Sequence, residues 1–273
     1  MQLTTEPKHE EQFTAFIDFL GFSEVSKDTD NSTRLKILDL LLSLSELRGE
    51  FDVQSTAQET GKMHQYRPVI STFSDHIVFS CPLEPISTVT GHDEHGTAVV
   101  VMLMFNRLLT RIAAAALRIG FLLRGGATIG KLYHSRGVVF GEALVEAYEI
   151  ESHTAIYPRV VLSSKITSKG TWIENQVGVI KGGDGLYHFD YFTMLLLSAS
   201  MPGDSHAANV KAWFEDVSGR IDRNLREFES KGQLNKLAKW AWFAREFRSG
   251  MERSGPEFLS TFGVSLDAIS WPR

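Results

Sequence analysis

The chain has 273 residues, 43% of them hydrophobic and 22% charged, with a net charge of −5. That composition reads as an ordinary globular protein of one large domain or two small ones. The acidic balance gives no support for non-specific nucleic-acid binding, which depends on Lys and Arg neutralising phosphates. The single cysteine, Cys81, excludes an internal disulfide and suits a reducing, cytoplasmic compartment.

The opening MQLTTEPKHEEQ is polar and acidic and does not read as a secretory signal. Residues 13–19 predict a strand from their aromatic and β-branched content. Within it, FIDFLGF (16–22) carries Asp18 inside an apolar run, where an unpaired carboxylate costs several kcal/mol to bury. RLKILDLLLSLSELRGEF, with Leu35, Leu38, Leu42 and Leu44 near helical spacing, predicts an amphipathic helix ending near Gly49. Residues 68–80 predict a strand carrying a second carboxylate, Asp75. GHDEHG (91–96) reads as a loop, capped by Asp93 or Thr97, before a long helix over roughly 97–120. The most apolar region, Ala98 to Leu123, is broken by Asn106, Arg107, Arg111 and Arg118, so no uninterrupted membrane span of about 20 residues is expected. LLRGGATIGKLYH predicts a strand with a glycine pair, and GEALVEAYEIES a helix opened by Gly141. VGVIKGGDGLYHFDYF predicts a hairpin turning at Gly182 to Gly185. The segment 204–252 predicts helix, with Trp213, Trp240 and Trp242 as core packing. Strands alternating with helices, then a hairpin, predict an α+β fold around one sheet. The expected division is residues 1–200 around the sheet and 201–273 as a helical C-terminal extension.

Two aspartates, each in an apolar strand, can be neutralised together by divalent metal. Hard cations such as Mg²⁺ or Mn²⁺ take carboxylate oxygens plus substrate phosphates. Two such ions activate an attacking oxygen and stabilise a leaving one. The turn Phe19–Leu20–Gly21–Phe22 offers backbone N–H groups to phosphate oxygens, and Gly21 permits close approach. The same two aspartates are read equally well as strand-end residues capping local turns. Elsewhere, His92, Asp93, Glu94 and His95 are adjacent in a loop and lack the spacing of a zinc site. Cys81 has no base at a recognisable spacing and reads as a small core residue. The sequence holds neither G-x-x-x-x-G-K-S/T nor G-x-S-x-G.

The order FIDFLGF, FSDHIVFS, LLRGGATIG, GVVFGEALVEAYEIES resembles the class III nucleotide cyclase domain over roughly residues 10 to 195. The resemblance implies a ferredoxin-like βαββαβ core and a homodimer with substrate at the interface. It implies attack of a ribose 3′-OH on the α-phosphate of a nucleoside triphosphate, with loss of pyrophosphate. It gives Asp18 and Asp75, with Phe19, to two Mn²⁺ or Mg²⁺ ions, and the backbone of Phe19, Leu20, Gly21 and Phe22 to the β- and γ-phosphates.

Departures from the family pattern narrow the substrate. The purine-reading position before the glycine-led helix is Val138, and the matching place for the adenine-reading lysine falls near Val69. Apolar groups there leave the polar edge of adenine unpaired. The chain is similar to the bacterial pyrimidine cyclases of the Pycsar anti-phage system in its FSD strand, RGG strand and EAY helix. That similarity implies cyclic UMP, or alternatively cyclic CMP, acting on a separate effector, with no nucleic-acid or membrane partner. Tyr66 and Arg67 are then the base-binding candidates. The family's helix carries an asparagine and, four residues on, a transition-state arginine; here Val145 and Glu149 stand there. A glutamate cannot stabilise developing negative charge on phosphate. Lys181 in VIKGGDG is the first candidate replacement, followed by Arg124, Arg136 and Arg159. The alternative is a catalytically inactive cyclase fold that binds nucleotide.

Overall fold

A computed structural model describes residues 9–22, 27, 30–46, 53–56, 63–66, 68–83, 94–168, 178–193 and 206–261. Among them lies a mixed α/β arrangement around an eight-stranded sheet. β1 (Glu10–Leu20) is longer than predicted because it is paired on both sides. Helix α1 (Asn31–Glu46) follows, then a separate two-stranded ladder of β2 (Val53–Thr56) and β3 (Met63–Tyr66). The predicted strand at 68–80 is instead a tight hairpin, β4 (Val69–Phe73) and β5 (His76–Pro82). It reverses at Ser74, whose φ is 55°, and Asp75. Asp75 is therefore a turn residue. Apolar flanks on both sides and the lack of a glycine hid the reversal.

Helix α2 (Glu94–Ile119) leads into β6 (Leu122–Ser135), which folds back as β7 (Val138–Phe140). Helix α3 (Glu142–Glu149) continues as a π-helical turn, Ile150–Thr154. Then come β8 (Val160–Leu162), the short helix α4 (Ser164–Thr167), and the predicted hairpin as β9 (Val179–Lys181) and β10 (Tyr187–Phe189). The C-terminal helical segment is broken at Gly232, with φ 64°, into α5 (His206–Ser230) and α6 (Leu234–Ser254), followed by α7 (Pro256–Thr261). The sheet order is β4-β5-β1-β6-β8-β10-β9. The pairs β4–β5, β5–β1 and β1–β6 are antiparallel, and β6–β8 is parallel.

Alternation along β1 gives the sheet two different faces. Phe13, Ala15, Ile17 and Phe19 join one large core with Val101, Met102, Phe105, Leu108 and Ile112 of α2. On the other face, Phe16 packs with Val78 and Ala147 of α3, beside buried Gln12, Thr14 and Asp18. Helix α2 is long and apolar enough, by length and composition, to cross a membrane. Its apolar side is committed to the sheet, which accounts for that composition. The predicted face of α1 is corrected: Leu35, Leu38 and Leu42 are exposed, while Ile37 and Leu40 are buried. Trp240, Trp242, Phe243 and Phe247 of α6 share the core of the sheet. The C-terminal helices are thus a packed extension rather than an appended unit.

Candidate metal centre

Strand register builds the site. Asp18 stands opposite His76 of β5 and opposite Arg124 of β6, so three strands carry one cluster. Asp18 is 7% exposed. The Arg124 Nε–H donates to Asp18 Oδ2 at 3.0 Å. Glu151 Oε1 lies 2.6 Å from the same nitrogen, as an ion pair without a hydrogen bond of its own. One guanidinium therefore separates two buried carboxylates. Arg124, a candidate for phosphate or for pairing with an acidic side chain, pairs with Asp18 across the ladder.

Glu151, 2% exposed, reaches this cluster because α3 ends in the π-helical turn. The bond from Ala155 N to Ile150 O, 2.8 Å, is its wide-turn hydrogen bond. Gly126, the second of the glycine pair, is what lets α3 approach. A Cβ at Gly126 would lie 2.3 Å from the Ala147 carbonyl and 2.6 Å from Ile150 Cβ, so only glycine fits.

His76 ties the two aspartates together. Its Nε2 is 3.8 Å from Asp18 Oδ1 and its Nδ1 is 3.1 Å from Asp75 Oδ1. Asp75 is further held by its carbonyl, which accepts the Phe19 N–H at 3.0 Å. Asp18, Asp75 and His76 each offer a ligand atom, all within 4.8 Å of one another. The two carboxylate oxygens suit a hard divalent cation such as Mg²⁺ or Mn²⁺, whereas the imidazole is a ligand for softer transition metals. Two carboxylates share Arg124, and Asp75 adds a third beside His76, which leaves negative charge for that cation to balance. These residues fit the expected metal.

The other predicted residues fall in several places. The Phe19 N–H is spent on Asp75, which removes it from the phosphate-facing set. Phe22 packs on Phe121 in the core. Leu20 and Gly21, with φ 96°, form the turn itself and line a cavity. Lys181 is exposed on β9 and lies over the Tyr187 ring at 5.1 Å. It is four strands from β1, about 19 Å across the sheet. Val138 is exposed beside Ser135, about 36 Å along β6 from Arg124 at strand spacing. Tyr66 closes the β2–β3 ladder opposite Val53, and Arg67 lies outside the described residues, as do His92 and Asp93.

Arg159 is buried, pairs with Asp184 and stacks over Trp242 at 5.6 Å, so it is structural. Its hydrogen bond holds the Asp184 carboxyl below the usual range. Arg136, φ 52°, occupies the tip of the β6–β7 hairpin. Val145 and Glu149 are exposed on α3. Cys81 is buried, and burial pushes its thiol up to about 12. Sequence reasoning missed His76, Glu151 and Lys239 as members or neighbours of the cluster. The first two adjoin motifs already singled out, FSDH and EIES; Lys239 has no local signal.

No family model matches the chain, and no curated protein matches it. Among solved structures, it is similar to an adenylate/guanylate cyclase/hydrolase from Silicibacter pomeroyi. The identity is 16%, the overlap covers 66% of this chain and 95% of that one, and the TM-score is 0.36.

Proposed function

We propose that this chain is a class III-type nucleotide cyclase that converts UTP to 3′,5′-cyclic UMP and pyrophosphate, using Mn²⁺ or Mg²⁺. The observation that carries the reading is the Asp18–Asp75–His76 ligand set beside the Gly21 turn. The antiparallel order β6-β1-β5-β4, with α1 and α2 as the crossovers, supports a ferredoxin-like βαββαβ core. Apolar residues at Val138 and Val69 favour a pyrimidine over a purine, with CTP as the alternative substrate.

In this reading, Asp18 and Asp75 hold the metal, with the Phe19 carbonyl completing a two-ion set. When bound, the ions neutralise phosphate charge and favour ionisation of the attacking hydroxyl. Arg124 is a positioning residue that orients Asp18 through Oδ2 and leaves Oδ1 facing His76. The ribose 3′-OH loses its proton to water, its oxygen bonds to the α-phosphorus, and the bond to pyrophosphate breaks. Lys181, Val138, Tyr66 and Arg67 act in a site completed by a second copy, because Lys181 and Val138 are too distant to meet Asp18 within one chain. Phe73 and Tyr148, 47% and 50% exposed, form an apolar surface around Phe16 that suits such a homodimer. The setting is cytoplasmic, and the product acts on a separate effector in anti-phage defence. A catalytically inactive nucleotide-binding module is the second reading, favoured by Glu149 at the transition-state position.

The test is incubation of the purified chain with ATP, GTP, CTP or UTP plus Mn²⁺, followed by mass spectrometry, beside an Asp75→Ala sample. Cyclic UMP from the wild type alone is expected. No cyclic product from any triphosphate overturns the enzyme reading in favour of the binding module.

A further inference from the structure

A cavity of about 280 Å³ lies against Leu20 and Gly21, and its opposite wall comes from the C-terminal helices. That wall carries Asn224 of α5 and Lys236, Lys239 and Trp240 of α6. Lys236 and Lys239 are three residues apart and share a helix face. Among the described residues no carboxylate lines the cavity, and its walls carry two cations and an amide donor. Two cations facing a glycine turn is an arrangement for an anion.

Lys239 also links this cavity to the metal centre. Its amine is half-buried and within electrostatic reach of Arg124, Asp18 and Glu151. Burial, and then the positive charge of Arg124, lower its pKa from the ordinary lysine value, while the two carboxylates act the other way. A desolvated cation beside a second cation gains from an anionic ligand. Gly21 has φ 96°, and among the described residues a Cβ there would meet only Phe121 Cδ1 at 4.0 Å. The turn therefore leaves space for phosphate oxygens on its outer side.

We propose that Lys236 and Lys239 of the C-terminal extension, facing the Gly21 turn, bind the polyphosphate tail of the substrate. The extension thereby supplies cations that Glu149 cannot. Identifying the anion as a nucleotide tail rests on the cyclase reading; the anion site itself rests on the cavity alone.

The experiment is calorimetric titration of the full chain with inorganic tripolyphosphate in metal-free, low-salt buffer. Low salt matters because screening weakens exposed charge pairs. The variants are Lys239→Gln, Lys236→Gln, the double variant, Lys239→Arg, and Lys211→Gln as an exposed control on α5 outside the cavity. The expected result is at least a tenfold loss of affinity in the double variant. Lys239→Arg and Lys211→Gln should remain within about threefold of wild type. Thermal melts accompany each titration, and the variant Lys236→Gln, at a partly buried lysine over the Phe228 ring, keeps the comparison valid should Lys239→Gln fold poorly. Equal binding by the double variant, equal losses in Lys239→Arg and Lys239→Gln, or no binding by the wild type would each overturn the site. The probe has no base, ribose or metal, so those failures leave the cyclase reading standing. Lysine-dependent binding with no cyclic product from any triphosphate would keep the anion site and discard its assignment to a cyclase substrate.

Discussion

Replacing Arg124 with alanine removes the one guanidinium that both Asp18 and Glu151 face, at 3.0 and 2.6 Å. Their side chains are only 10% and 3% exposed, so water cannot replace the lost charge fully. Both oxygens lie near one nitrogen, which puts them within about 6 Å of each other. At that separation and an effective dielectric of about 20, two unit negative charges repel by about 3 kcal/mol. That agrees with the 3–5 kcal/mol typical of breaking a buried pair from one side. At about 2–4 °C per kcal/mol for a chain of this size, the melting temperature should fall by about 6–12 °C in metal-free buffer. The decisive measurement is a double-mutant cycle by thermal or urea denaturation. Glu151→Gln alone should destabilise, because it removes one partner of Arg124. In the Arg124→Ala background the same change should stabilise, because it removes one of two facing charges. Additive effects of the two substitutions, or a loss under 2 °C for Arg124→Ala, would refute the electrostatic account of the cluster.

Gly126→Ala should cost about 1–3 kcal/mol, because its Cβ meets the Ala147 carbonyl at 2.3 Å and backbone cannot yield cheaply. Gly183→Ala, with nothing within 4 Å, should leave urea stability nearly unchanged, and equal losses would contradict the close approach of α3. His188 is fully buried, and burial pulls its pKa down from 6.5 to about 4. Between those values the unfolded chain takes up a proton that the folded chain refuses, so acid favours unfolding. Its contribution is constant above about pH 6.5 and falls by about 3 kcal/mol as the pH drops to 4. A His188→Leu variant should show a shallower loss across that window in urea titrations; parallel profiles would speak against it. The Cys81 thiol, pushed up to about 12 by burial, should resist a thiol-specific dye at pH 8 in native protein and react on unfolding. Rapid native labelling is the contrary outcome.

Several elements were legible because their signals are local. Aromatic and β-branched content placed β1, glycines placed the hairpin at Gly182 to Gly185, and LLRGGATIGKLYH read as the strand that is β6. The β4–β5 reversal was not legible, because Ser74 and Asp75 carry no glycine or proline and their flanks read as one continuous strand. The face of α1 was misread for a related reason. Its leucines outnumber the positions the sheet covers, so spacing alone could not select Ile37 and Leu40. Among the functional residues, Asp18 and Asp75 stood out as charges in apolar company.

By itself, then, the sequence determined which carboxylates had to find a counter-charge and where a glycine opened the turn beside them. Both follow from chemistry within a few consecutive residues: the cost of desolvating an anion and the freedom of a residue without Cβ. Only the tertiary structure decided what answers that demand. Arg124 meets Asp18 across 106 residues of chain because β1 and β6 pair in one particular register. Glu151 turns inward because a wide helical turn follows a close approach at Gly126. Lys239 reaches the same region because aromatic residues on its helix bury themselves against the sheet. Register, helix approach and core packing act between distant segments, and the residue that completes a charge balance is chosen by them rather than by its neighbours in sequence.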